Sequence, residues 1–195
     1  MESHCQFRRI ARICAPALVA GLFLSGCGIN NIPAYWEIAR ARWSDVVYEY
    51  SRRGDLVRTL PSIVQGHLGE KRQPIEDVVE ARAHAHQAVL NMPTEILNDR
   101  DAFRHFAQAQ QELTAALSRL LTVCARSGYL VGNQKFSELL SQLEASESRI
   151  AGARRDYNEA VEQYNRELRT FPGTMWGATL YQHNKAMQIF TAAEP

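Results

Sequence analysis

This chain has no surplus of either charge, no disulfide framework and no long unbroken apolar run. With 22 basic against 21 acidic residues the formal charge is +1, so there is no positive excess to hold the phosphates of nucleic acid. Only four of the 195 residues are cysteine, and they do not fall in the close pairs of a zinc site or a stapled miniprotein. Metal ligation fares no better. His84 and His86 are two apart and diverge on a helix, Glu80 and His84 share a face but lack further ligands, and the Glu-x-x-His pair of di-iron bundles is missing. Nucleophile elbows, His-Glu-x-x-His and phosphate-cradling glycine loops are also absent. The sequence therefore gives no reason to expect an enzyme, a cofactor, a bound metal or a nucleic-acid partner.

The N-terminus shows where the chain is expected to reside. A short basic head with Arg8, Arg9 and Arg12 precedes the uncharged run from Ile13 to Phe23, and Leu24-Ser25-Gly26-Cys27 follows. This is the pattern of a signal peptide, and its last four residues resemble the cleavage and acylation site of a bacterial lipoprotein. Eleven residues are short against the roughly 20 that span about 30 Å of hydrocarbon, although an uncleaved N-terminal anchor stays open. Cleavage before Cys27 would remove three of the basic and one of the acidic residues, leaving a formal charge of −1. Cys5 and Cys14 would go with the signal and Cys27 would carry lipid. That leaves Cys124 as the one thiol, read as a small core hydrophobe because it falls on an apolar helical stripe. No internal disulfide can then form, and about 168 residues must be held by an apolar core.

From Pro33 onward the apolar residues recur at three and four, which predicts helices and no strands. Trp36, Ala39, Trp43, Val46, Tyr50, Val57, Leu60 and Val64 mark a first helix. Gly54 and Pro61 inside it predict a bend or local irregularity, since glycine costs about 1 kcal/mol and proline about 3 relative to alanine. A second helix is expected from Pro74 to Asn91, followed by a turn at Asn91-Met92-Pro93 with Thr94 as a helix cap. The third carries Phe103, Phe106, Gln110, Leu113, Leu117, Leu120 and Cys124 as its seam. The fourth and longest runs past Phe136, Leu143, Ile150, Tyr157, Val161 and Tyr164 to the stop at Phe171-Pro172-Gly173.

Charges on these seams need partners, because an unpaired buried charge is very costly. Glu147 and Arg154 occupy seam positions of the fourth helix, and Arg53 and Asp55 lie on or beside that of the first. The expectation is an interhelical network joining Arg53 or Asp55 to Glu147 or Arg154, which would fix helix register rather than catalyse. Tyr157-Asn158 and Tyr164-Asn165 repeat at seven residues. Core tyrosines bonded at the rim are the ordinary explanation, and a ladder that grips a peptide is the other. Met175, Trp176, Leu180, Tyr181, Met187, Ile189 and Phe190 make the tail densely apolar. It is expected to pack over one end of the bundle, with Met175, Trp176, Leu180 and Tyr181 as the candidate interaction surface.

Arg52-Arg53-Gly54-Asp55-Leu56-Val57, Glu80-Ala81-Arg82-Ala83, Leu143-Glu144, Arg149-Ile150-Ala151, Tyr157-Asn158, Tyr164-Asn165 and Phe171-Pro172 occur in this order. As an ordered set they resemble the LemA family over most of the chain. Arg58-Thr59 stands where that family usually has Pro-Asn, and a lipobox-like end replaces its usual membrane-spanning helix. The resemblance implies a membrane-attached antiparallel helical bundle without an established catalytic activity.

The resulting expectation is an all-α protein: a signal peptide over 1–26, an acylated linker over 27–32, an elongated antiparallel four-helix bundle over 33–173 and an apolar tail over 174–195. It would face the periplasm on a lipid anchor. Gly28, not the aspartate of inner-membrane retention, favours the outer membrane. Two roles are expected of such a protein. One is a non-catalytic interaction or scaffold protein, with a protein partner or self-association in the envelope. The other is an accessory subunit that presents or regulates an envelope protease or cell-wall hydrolase.

Overall fold

The computed structural model describes residues 31–64, 72–127 and 132–191, so the basic head, the apolar run and Cys27 lie outside the described residues. Those described form helices and no strand: α1 (Asn31–Val64), α2 (Gln73–Leu90), a 3-10 turn (Thr94–Ile96), α3 (Arg100–Ser127), α4 (Gln134–Arg169) and the short α5 (Gly173–Thr179). With 34 and 36 residues, α1 and α4 are rods of about 50 Å. No described helix is long and apolar enough to cross a membrane.

The cross-links between helices give the topology. Asn31 reaches Glu167, Arg149 reaches Glu49, and Arg53 reaches Glu147, so partner numbers fall along α4 as they rise along α1 and the two run antiparallel. The Trp43 indole donates to the Met92 carbonyl beyond the end of α2, which makes α2 antiparallel to α1 as well. Trp43 meets Phe103, Tyr50 meets Phe106, and Arg53 meets Gln110 and Thr114, so α3 runs parallel to α1. The result is an up-down-up-down four-helix bundle.

Local chemistry accounts for the element ends. Asn133 caps α4, its side chain accepting from the Phe136 amide, and the left-handed Gly132 before it supplies a φ of 91° that side chains disfavour. The cap expected at Thr94 falls instead on Asp99, whose carboxylate accepts from the amides of Asp101 and Ala102. Thr94 opens the 3-10 turn. α1 runs as one continuous helix through Gly54 and Pro61. Pro61 lies in its final turn and leaves the Val57 carbonyl without its amide donor, while the Thr59 and Ser62 hydroxyls donate to the carbonyls of Leu56 and Thr59.

The core divides into two chemically different halves. Val57, Leu60, Val64, Val78, Leu113, Leu120, Leu139 and Leu143 form an aliphatic half. Trp43, Tyr50, Phe103, Phe106, Tyr157, Tyr164 and Phe190 dominate an aromatic half, which lies at the end where α1 starts and α4 stops. Trp43 is its hub, with ring centroids 5.0 Å from Phe106, 5.3 Å from Tyr157 and 5.9 Å from Phe103.

Candidate functional site

Where the two halves of the core meet, every helix of the bundle contributes polar atoms. The Arg53 side chain, only 2% exposed, pairs with Glu147 at 3.0 Å. It also donates to the Thr114 hydroxyl at 2.8 Å and to the side chain and main chain of Gln110 at 2.9 and 3.2 Å. Gln110 in turn donates to the Ala85 carbonyl of α2. The Arg53 guanidinium lies 5.1 Å from the centre of the Tyr50 ring, and Arg154 hydrogen-bonds the Tyr50 hydroxyl. Burial pushes the Tyr50 phenol above its ordinary value, while both arginines pull the other way.

Of the four charged residues expected in this network, Arg53, Glu147 and Arg154 therefore converge around Tyr50. Asp55 does not. It is exposed and its partner is Arg58 at 4.0 Å, because two residues beyond Arg53 the helix has turned about 200° away from the seam. Gln110 and Thr114 were the members that charge alone could not reveal. Their signal was a glutamine standing between Phe106 and Leu113 on an otherwise apolar stripe. The cation of this belt is enclosed by protein, and its bonds tie α1 to α3 and α4.

The second constellation involves the Tyr-Asn repeat. After α5 the chain returns along α4 without regular secondary structure, and the two asparagines hold it by the backbone. The Asn158 amide donates to the Phe190 carbonyl at 2.8 Å and accepts from the Phe190 N–H at 2.9 Å. Asn165 does the same for Met187, at 2.9 Å both ways. Between these rungs the Tyr157 hydroxyl donates to the Gln188 carbonyl at 2.9 Å, and just before them the Tyr164 hydroxyl donates to that of Lys185 at 3.3 Å. On the opposite bank the Gln188 N–H donates to the Leu97 carbonyl at 2.9 Å.

The spacing follows from helix and strand geometry. Seven helical residues rise about 10.5 Å, and three extended residues rise about 10 Å. A seven-residue Asn repeat on a helix therefore matches positions 187 and 190 of an extended chain. Met187 and Phe190 point inward and are each 5% exposed, while Ile189 is 38% exposed. Phe190 enters the aromatic half of the core, 4.9 Å from Phe103 and 5.7 Å from Tyr157. The Arg154 guanidinium covers its ring at 4.4 Å. Grip is thus by main chain, which any sequence offers, and selection is by two side-chain pockets three residues apart. The tyrosines are core residues bonded at the rim, and the asparagines beside them hold the chain's own tail.

Burial raises the phenol of Tyr157 above its ordinary value and pushes that of Tyr164 up to about 12. Above pH 10 the unfolded chain releases protons that the folded chain keeps, so this contribution is complete below pH 10 and is lost as the pH rises towards 12. Urea titrations of the intact chain across that range should show falling stability together with delayed phenolate absorbance. Ionisation of every tyrosine near pH 10 without loss of structure would contradict the buried ladder.

The remaining candidates are distributed unevenly. Met175 and Leu180 are exposed at 53% and 62%, whereas Trp176 and Tyr181 pack against the aromatic half of the core. The interaction surface expected from those four residues is therefore split between two faces. Cys27 lies outside the described residues. Cys124 is buried and its thiol is pushed up by desolvation, an unreactive environment. Among the described residues no three His, Cys, Asp or Glu side chains are grouped to hold a metal ion. Compared with known proteins, the model of the LemA family matches residues 42–195. No curated protein matches significantly.

Proposed function

The chain belongs to the LemA family, and from that premise we propose that it is a membrane-anchored, non-catalytic interaction or scaffold protein of the bacterial envelope. What supports this reading is a helical rod of about 50 Å, braced along one side by its own tail, which Asn158 and Asn165 hold by the backbone at 2.8 to 2.9 Å. The anchor in this reading is a lipid on Cys27, after the Leu24-Ser25-Gly26 approach, with Gly28 directing the protein to the outer membrane. One acyl chain alone holds only marginally, so stable attachment relies on the several chains a lipoprotein cysteine carries.

Two measurements test the two parts of the proposal. Cys27→Ser should move most of the protein from the membrane pellet to the soluble fraction, and a variant that still sediments with membranes would replace the lipid anchor by a spanning helix. Crosslinking in intact membranes, followed by purification through the full chain, should yield discrete adducts with a partner or with a second copy. Recovery of monomer alone would contradict the scaffold role.

A further inference from the structure

The end of the bundle beside the anchor carries an apolar surface that the core does not use. Asn31, the first residue of α1, donates to Glu167 near the end of α4 at 3.4 Å, so α5 sits where α1 begins. Three residues separate Cys27 from Asn31, and the four steps reach at most about 14 Å. At this same end Phe171 is 80% exposed, Met175 53% and Leu180 62%. The inward positions are fixed. A Cβ on Gly173 would collide with the Glu167 carbonyl, and Gly177 lies against Leu168, which seats α5 on α4 with Trp176 inside and Met175 outside. Arg166 and Arg169, in the last turn of α4, are exposed and directly precede this segment in the chain.

Large apolar side chains next to arginines are the composition that sits at the boundary between headgroups and acyl chains. We infer that the α4–α5 end of the bundle docks onto the lipid surface itself. Phe171, Met175 and Leu180 enter the interface, and Arg166 and Arg169 face headgroup phosphates. This rests on the membrane-anchored reading and goes further. The anchor alone would leave the rod free to tumble on its linker, whereas a docked end would stand it on the bilayer and present the aliphatic half of the bundle away from the membrane.

Depth of immersion tests the idea on the full acylated chain in vesicles of phosphatidylethanolamine and phosphatidylglycerol with brominated acyl chains. Phe171→Trp places a probe at the proposed contact, and Ser141→Trp places one about 45 Å away along α4. Bromolipid should quench most of the emission added at 171 and almost none of that added at 141. Iodide reaching residue 171 freely, in protein that still floats with the vesicles, would overturn the docking while the anchor stands. Emission at 171 shielded from both quenchers would assign the surface to a protein instead, and overturn it too. Protein that does not float at all would remove the anchored reading and the docking together.

Discussion

Replacing Arg53 by alanine should destabilise the bundle by about 3–5 kcal/mol, the range for removing one member of a buried, hydrogen-bonded charge cluster. The variant loses four hydrogen bonds at once. Those bonds reach both α3 and α4, and the Gln110 carboxamide, 4% exposed, is left without a donor for its oxygen. Leaving such a group unsatisfied costs about 1–3 kcal/mol, and the cavity adds to it. The partner should matter much less. Glu147 is 46% exposed, so water can take over its role, and Glu147→Gln is expected to cost about 1 kcal/mol or less. Urea denaturation of both variants checks the asymmetry. Equal losses would mean that the ion pair, rather than the enclosed hydrogen bonds, carries the belt. Arg53→Met should recover part of the stability by filling the space, as apolar replacements of buried charges often do.

The helices were legible because burial repeats with the helical period. Phe103, Phe106, Gln110, Leu113, Leu117, Leu120 and Cys124, the stripe read from spacing alone, are all buried. The same spacing located Arg53 as a seam residue but could not exclude Asp55, since proximity in sequence says nothing about azimuth until the seam through Tyr50, Arg53 and Val57 is drawn. Pro61 removes the amide donor of a single carbonyl, that of Val57, and the helix runs on through it to Val64. In α5, seven residues are too few for a period to emerge, so Met175 and Trp176 looked alike and ended on opposite faces. The docked tail was the least visible element. Its main-chain bonds leave no trace in the identities of Met187, Gln188 and Phe190, and the sign of the contact lay about 30 residues away in the Tyr-Asn repeat.

Asn158→Ala combined with Asn165→Ala should release the tail from the groove while the bundle stays helical. The double variant removes four main-chain hydrogen bonds, each worth about 1 kcal/mol net. A total near 4 kcal/mol corresponds to about a thousandfold change in the docking equilibrium. Burial of Met187 and Phe190 adds about 1.5–3 kcal/mol for each side chain, and ordering several backbone residues opposes docking at about 1–2 kcal/mol apiece. The ladder is therefore what tips the balance towards the docked state. Amide exchange at residues 187–190 should quicken by about two to three orders of magnitude, and limited proteolysis should cut within 184–191 before it touches α4. Each single variant should give about half the effect on a logarithmic scale, because the two rungs grip separate residues. Phe190→Ala offers the complementary measurement, since it empties the pocket next to Trp43, Phe103 and Phe106 and leaves every rung intact. If exchange in the tail quickens for Phe190→Ala and not for the double asparagine variant, apolar anchoring holds the strand, and the seven-residue repeat does not read polypeptide backbone.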